Sequence, residues 1–175
     1  KKPRIIFAST VQATKKNAYG ISKKKAEKIL KQFYYKNKNK LFILRLPNIF
    51  GKWSKPNYNS FIATLCYSKS RKKRLSIFGL KKKIKLMYID DLVDQINDLI
   101  SFNKNNNKFY HKLNKVYTSS IARLNSIVSS FKLNRKKLYI NDFSDDFTKK
   151  LYSTYLSFVP ERNFTYKLKK NFDKR

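Results

Sequence analysis

Two short, nearly uninterrupted apolar runs constrain this chain most: Arg4-Ile-Ile-Phe-Ala-Ser-Thr10 and Leu41-Phe-Ile-Leu-Arg-Leu46. Continuous rather than alternating hydrophobicity marks strands buried on both faces, as in a parallel sheet. Between them Ala26, Ile29, Leu30 and Phe33 recur at helical spacing, which predicts a helix from about Tyr19 to Lys36. Strand, helix and strand in that order form the unit of a doubly wound parallel sheet, so the expected class is α/β and Rossmann-like.

The helix opens on Asn17-Ala18-Tyr19-Gly20-Ile21-Ser22-Lys23. Tyr19 and Lys23, at i and i+4, stand one turn apart on the same face. A free phenol ionises near 10, so making one a ready proton donor near neutrality takes about 4 kcal/mol. A cation about 4 Å away at an effective dielectric of about 20 supplies energy of that order. The preceding strand ends in Ser9 and Thr10, whose short hydroxyl side chains suit hydrogen bonding to a reacting oxygen. The same Tyr/Lys spacing recurs at Tyr34/Lys38 and Tyr166/Lys170, but only the first copy follows a strand ending in hydroxyls and opens a helical pattern.

These segments, followed by Arg45-Leu-Pro47-Asn48-Ile-Phe-Gly51 and Met87-Tyr-Ile-Asp90-Asp91, resemble in order the back half of an extended short-chain dehydrogenase/reductase. Gln12-Ala13-Thr14, the block from Gly51 through Trp53 to Ser60, Ile62 to Tyr67, and Leu151 to Pro160 are similar to the branch of that family that reduces nucleotide sugars for capsular polysaccharide. The resemblance implies NADPH- or NADH-dependent reduction of a UDP-linked 4-keto-6-deoxy-N-acetylhexosamine. It gives Tyr19 the proton, Lys23 the nicotinamide ribose, Thr10 or Ser9 the carbonyl oxygen, and a place near the cofactor to Pro47. It also puts Asn48 on the sugar and suggests Lys52, Lys55 and Asn57 for the nucleotide or diphosphate. A homodimer is implied for the complete enzyme. A nucleotide-sugar epimerase or dehydratase would share the catalytic trio and differ in the substrate loop and in retaining its cofactor.

Along the rest of the chain, Pro47-Asn48 ends the second strand and a loop runs through Asn59, where open α/β sheets place their ligands. A helix is expected from Ser60 to Ser70, then the basic run Arg71-Lys-Lys-Arg74, then short strands at Leu75–Phe78 and Ile84–Ile89. Asp90-Asp91 sit where a helix dipole favours acids, an architectural reading that outweighs a metal or acid/base pair. Asn103 to Lys108 reads as a loop, Phe109 to Val116 as a strand, and Thr118 or Ser119 as the cap of a helix carrying Ile121 to Phe131. Asn134 to Asp146 is a charged connection, and Phe147 to Val159 is helical in pattern and stopped by Pro160.

The expected organisation is a partial reductase domain over residues 1–146 and a segment from 147 to 175 leading toward a cupin-like domain. The only glycines, Gly20, Gly51 and Gly79, form no Gly-rich phosphate loop. The 175 residues are thus expected to be the middle of a longer enzyme, neither binding NADPH tightly nor turning over alone.

The formal net charge of +32 suggests nucleic acid, since basic surfaces release counterions from phosphate. The excess is mostly Lys spread along the chain, alongside many Asn, Ile, Tyr and Phe, residues whose codons are rich in A and T. Compositional drift accounts for that pattern, and a basic nucleic-acid-binding module is the rival reading from outside enzymology. One cysteine, Cys66, and one histidine, His111, leave no Cys/His metal site or disulfide framework, and Cys66 reads as a buried small hydrophobe. No apolar run approaches a membrane span, and the expected location is the cytoplasm.

Overall fold

The computed structural model describes residues 3–38, 40–101 and 109–164, which divide into two compact units. The first comprises residues 1–49 and 84–119, the second 50–83 and 120–175.

In the first unit, β1 (Arg4–Thr10) leads through a short 3-10 helix (Val11–Thr14) into α1 (Ala18–Asn37) and then β2 (Lys40–Leu46). β1 and β2 pair in parallel, from Arg4 opposite Lys40 to Thr10 opposite Leu46, so their carboxyl ends lie side by side. This is the expected strand-helix-strand unit. On the other side of β2, Ile43 N–H donates to Phe109 O and His111 N–H to Ile43 O, at 2.7 and 3.1 Å. The strand expected over Phe109–Val116 is therefore a single parallel bridge at Tyr110, with β5 following at Val116–Ser120.

A three-stranded sheet runs in the order β3 (Asn48–Phe50), β4 (Lys83–Tyr88), β5. β3 occupies the start of the expected loop. After β4, α3 (Ile89–Ser101) carries Asp90 and Asp91 in its first turn. Buried Asp91 pairs with Lys115 at 3.4 Å, which supports the architectural reading. Phe42, Leu44, Met87, Leu92 and Leu99 form the core of this unit, with Ile6, Leu46 and Ile96 packed against it.

The second unit is a helical layer of α2 (Phe61–Ser70), α4 (Ile121–Lys137) and α5 (Asp146–Leu156), each packed against the other two. Its core includes Ile62, Leu65, Leu124, Val128, Phe131 and Leu151. Cys66 is fully buried here, and burial pushes its thiol pKa far up, as an inert small hydrophobe requires. Side-chain caps start the helices: Ser60 accepts from Ala63 N–H, Ser120 from Arg123 N–H, and Asp145 from Phe147 and Thr148 N–H.

Three further sequence expectations are corrected. Leu75–Phe78 is not a strand: Phe78 is 84% exposed and the segment has no strand partner among the described residues. The cap of α4 is Ser120, because Thr118 and Ser119 still belong to β5. α4 continues to Lys137, past the expected end of its apolar stripe, with Arg135, Lys136 and Lys137 suited to the negative end of the helix dipole. The stretch from residue 147 opens as α5, while 103–108, Tyr166/Lys170 and the chain's last residues fall outside the described residues. Among the described residues no helix is long and apolar enough to cross a membrane.

Candidate active site

The site is built at the carboxyl end of β1. Ser9 and Thr10 are both buried there, and their hydroxyls have different tasks. Thr10 caps the 3-10 helix, its Oγ1 accepting from Gln12 N–H at 3.2 Å. That bond uses a lone pair and leaves the hydroxyl proton available to donate. Ser9 Oγ instead donates to Glu27 Oε1 at 2.5 Å.

Asn17 starts α1 by accepting from Gly20 N–H at 2.7 Å. A Cβ on Gly20 would stand 2.2 Å from Gln12 O and 2.9 Å from Lys15 O. Only glycine lets the first turn of α1 rest on the backbone of the 3-10 helix that follows Thr10. Tyr19 is 53% exposed. One turn on, Lys23 Nζ donates to Ala8 O at 3.1 Å and lies 5.2 Å from the Phe7 ring centroid and 5.9 Å from that of Tyr19. The ammonium is thereby held between β1 and the phenol ring, with two N–H donors left for a ligand. At the other Tyr/Lys copy that can be described, Lys38 lies past the end of α1 in left-handed backbone, so that pair shares no helix face.

Sequence reasoning missed the hub beneath this arrangement. Glu27, 2% exposed, follows Tyr19 and Lys23 at i+8 and i+4 and so continues their stripe inward. Arg45 grips it with two bonds, Nε to Oε1 at 3.0 Å and an Nη to Oε2 at 2.7 Å, and Tyr110 OH donates to Oε2 at 2.9 Å. Lys31 Nζ donates to Tyr110 OH at 3.0 Å. Burial pushes the Glu27 carboxyl up, but the hydrogen bonds from Arg45, Ser9 and Tyr110 and the charge of Arg45 outweigh it and hold it below the usual carboxylate range. The hub ties the ends of β1 and β2, α1 and the 110 segment together. The only advance signal was the spacing of Glu27 from the Tyr/Lys pair.

Pro47 is half-buried at the end of β2, and Asn48 opens β3 exposed, its Nδ2 donating to Lys85 O at 3.0 Å. Its Oδ1 remains for a ligand. Lys52, Lys55 and Asn57 belong to the second unit, in a loop ordered by its own bonds. There Trp53 N–H donates to Ser157 Oγ and Asn57 N–H to Thr64 Oγ1, at 3.2 and 2.9 Å. Lys52 lies over the Trp53 ring and Lys55 over that of Tyr58, at 5.5 and 5.4 Å. Trp53 is 78% exposed with φ +58°, an uncommon conformation for a bulky residue and the kind of strain that gathers at ligand-binding loops. The structure thus ties Lys23 to β1 at Ala8 and near the Tyr19 ring, with Ser9 and Thr10 next along β1 and Pro47 and Asn48 following the paired end of β2, and it gathers Lys52, Lys55 and Asn57 in one loop of the second unit.

Comparison with known proteins bears on this geometry. The chain is 36% identical over 171 residues to the UDP-2-acetamido-2,6-beta-L-arabino-hexul-4-ose reductase of Pseudomonas aeruginosa, covering 98% of the chain and 46% of that relative. It superposes on the capsular polysaccharide assembling protein CapF from Staphylococcus aureus with a TM-score of 0.92 and 36% identity, over the whole chain and 48% of CapF. The UDP-glucuronic acid 4-epimerase of Bacillus cereus, at 17% identity and a TM-score of 0.73 over 90% of the chain and 62% of the epimerase, shares the fold. The chain thus spans about half the length of its nearer relatives. The NAD dependent epimerase/dehydratase family model matches residues 2–111, the stretch that carries the strand end, the Tyr/Lys helix and the Glu27 hub, and the chain belongs to that family.

Proposed function

We propose that this chain is the catalytic and substrate-binding part of an NAD(P)H-dependent reductase acting on a UDP-linked 4-keto-6-deoxy-N-acetylhexosamine in surface-polysaccharide synthesis. The observation that carries the reading is the end of β1, where the Lys23 ammonium is pinned to Ala8 O 5.9 Å from the Tyr19 ring centroid and Thr10, two residues on, keeps a hydroxyl proton to donate. The 36% identity to a reductase of that chemistry supports the substrate class.

When bound, a reduced nicotinamide supplies the hydride to the sugar carbonyl carbon. Thr10 donates a hydrogen bond to the carbonyl oxygen and orients it, while Tyr19 transfers the proton that the oxygen gains as it becomes an alcohol. Lys23 stabilises the phenolate left behind and offers its remaining donors to the ribose next to the nicotinamide. Ser9 is taken up by Glu27, so it anchors the strand end rather than meeting the substrate. Asn48 faces the sugar, Pro47 borders the cofactor, and Lys52, Lys55 and Asn57 meet the nucleotide and its diphosphate. The pyrophosphate-binding half of the cofactor site belongs to a part of the whole protein outside these 175 residues, and the whole protein acts as a homodimer.

The test is a chimera in which this chain replaces its counterpart in the Pseudomonas reductase. We expect net NAD(P)H oxidation that requires the UDP-keto-sugar and falls about 10²- to 10⁴-fold on Tyr19→Phe, the usual range for losing a general acid. A folded chimera that interconverts sugars without consuming reduced cofactor would instead favour an epimerase.

A further inference from the structure

The second unit contains an open cleft of about 1170 Å³. Sites for small molecules occupy roughly 300–1,000 Å³, so its scale suits a compact ligand with room for water. One wall is a single stripe of α4, with Ser129, Lys132, Leu133 and Lys136 at i, i+3, i+4 and i+7. Another is the end of α2 and the turn after it, which carries Lys72. Among the described residues no carboxylate lines the cleft.

Some of its cations have structural duties. Arg135 donates to the carbonyls of Asn163 and Phe164, and Lys73 donates to Tyr67 OH at 3.1 Å. Lys72, Lys132 and Lys136 have no hydrogen-bond acceptor or ion-pair partner among the described residues. The dipole of α4 explains Lys136, which lies in the last turn, but such effects fade beyond one turn and Lys132 stands deeper in the helix. Lys72 is held at φ +57° in a turn closed by Lys73 N–H donating to Ser68 O. Burial, followed by the ammoniums of Lys72, Lys69 and Lys136, holds the Lys132 pKa below the usual lysine value. Like charges gathered on a concave, partly apolar surface call for an anion with more than one charge.

We propose that this cleft binds a small polyphosphorylated ligand, with consecutive phosphates held between Lys72 on one wall and Lys132 and Lys136 on the other. Its organic part, if it has one, would rest on Leu133 and Val159. Lysine suits this task as a compact point charge that tolerates several phosphate orientations. A concave site of this size favours a short chain of phosphates over a nucleic-acid strand, whose backbone needs an extended track.

The test is titration calorimetry on the full chain at 150 mM salt with inorganic tripolyphosphate, a nucleoside triphosphate and a single-stranded oligonucleotide. The charge-matched variants are Lys72→Gln/Lys132→Gln/Lys136→Gln and Lys24→Gln/Lys25→Gln/Lys28→Gln, the latter on the exposed face of α1. Saturable one-to-one binding of tripolyphosphate is expected to weaken at least tenfold in the cleft variant and less than twofold in the α1 variant. The reversal Lys132→Glu should weaken it at least as much as the cleft triple, with thermal unfolding verifying that each variant is folded. Tighter binding of the nucleoside triphosphate would identify an organic part and support the site. Equal losses in the two triple variants, no saturable binding, or a cleft effect confined to the oligonucleotide would overturn it.

Discussion

Around Glu27 in the first unit, one buried carboxylate gathers Arg45, Tyr110 and Ser9, whereas in the second unit Lys72, Lys132 and Lys136 line a cleft with no carboxylate among the described residues. Both clusters contain cations of the kind that give the chain its charge. In the first, the counter-charge is built into the fold, and the result is architecture: four segments locked to one side chain. In the second, no counter-charge is built in among the described residues, and the repulsion stands in the folded protein. Net charge therefore says little about function until each cation is followed to its partner.

The comparison breaks most readily at Glu27. Replacing it with Ala strips Arg45 of its acceptor, and breaking a buried pair from one side costs about 3–5 kcal/mol. Because the Arg45 side chain is 30% exposed, the lower end, about 3 kcal/mol, is expected in urea unfolding. Adding Arg45→Met should recover part of the loss. An unchanged midpoint would show that the hub locks nothing.

Acid should act on the same group more gradually. The folded Glu27 carboxyl titrates below its ordinary value near 4.5, so its contribution is fully present above that value. The contribution disappears as pH falls through the lower, folded value. Urea midpoints from pH 7 to pH 3 should therefore fall less steeply in Glu27→Gln than in the parent chain. Equal slopes would assign the acid sensitivity to other carboxylates.

The smallest effect belongs to the second cluster. Lys132 titrates below its ordinary value, so the fold disfavours its charged form, and that penalty fades as pH rises through the lowered folded value and is gone above the ordinary lysine value. At neutral pH, Lys132→Gln should leave stability unchanged or raise it by a few tenths of a kcal/mol, the usual worth of removing one like-charge contact. A loss of about 1 kcal/mol or more in thermal unfolding would mean that Lys132 already has a partner, and the contrast would collapse.

What could be read in advance follows from how local each signal is. β1, α1 and β2 were legible because continuous apolar runs and a helical apolar spacing write themselves into neighbouring residues. The Tyr19/Lys23 pair was legible for the same reason, being one helical turn. β3 and β5 were missed because three and five residues are too few to show a period. Phe78 misled because its aromatic ring suggests a strand interior, yet the ring is exposed. Beyond the spacing of Glu27 from the Tyr/Lys pair, the hub left no local trace in the sequence, since its partners lie 18 positions away at Ser9 and Arg45 and 83 away at Tyr110.

The bond from Lys23 to the Ala8 carbonyl has a further consequence, and it is entropic. A free lysine side chain carries about 2 kcal/mol of rotational freedom, which is lost when its ammonium is fixed. Here part of that freedom is given up when the chain folds, against a carbonyl on the adjacent strand. A ligand reaching this edge meets an ammonium already at rest, and the affinity it gains there is not spent on stilling the side chain.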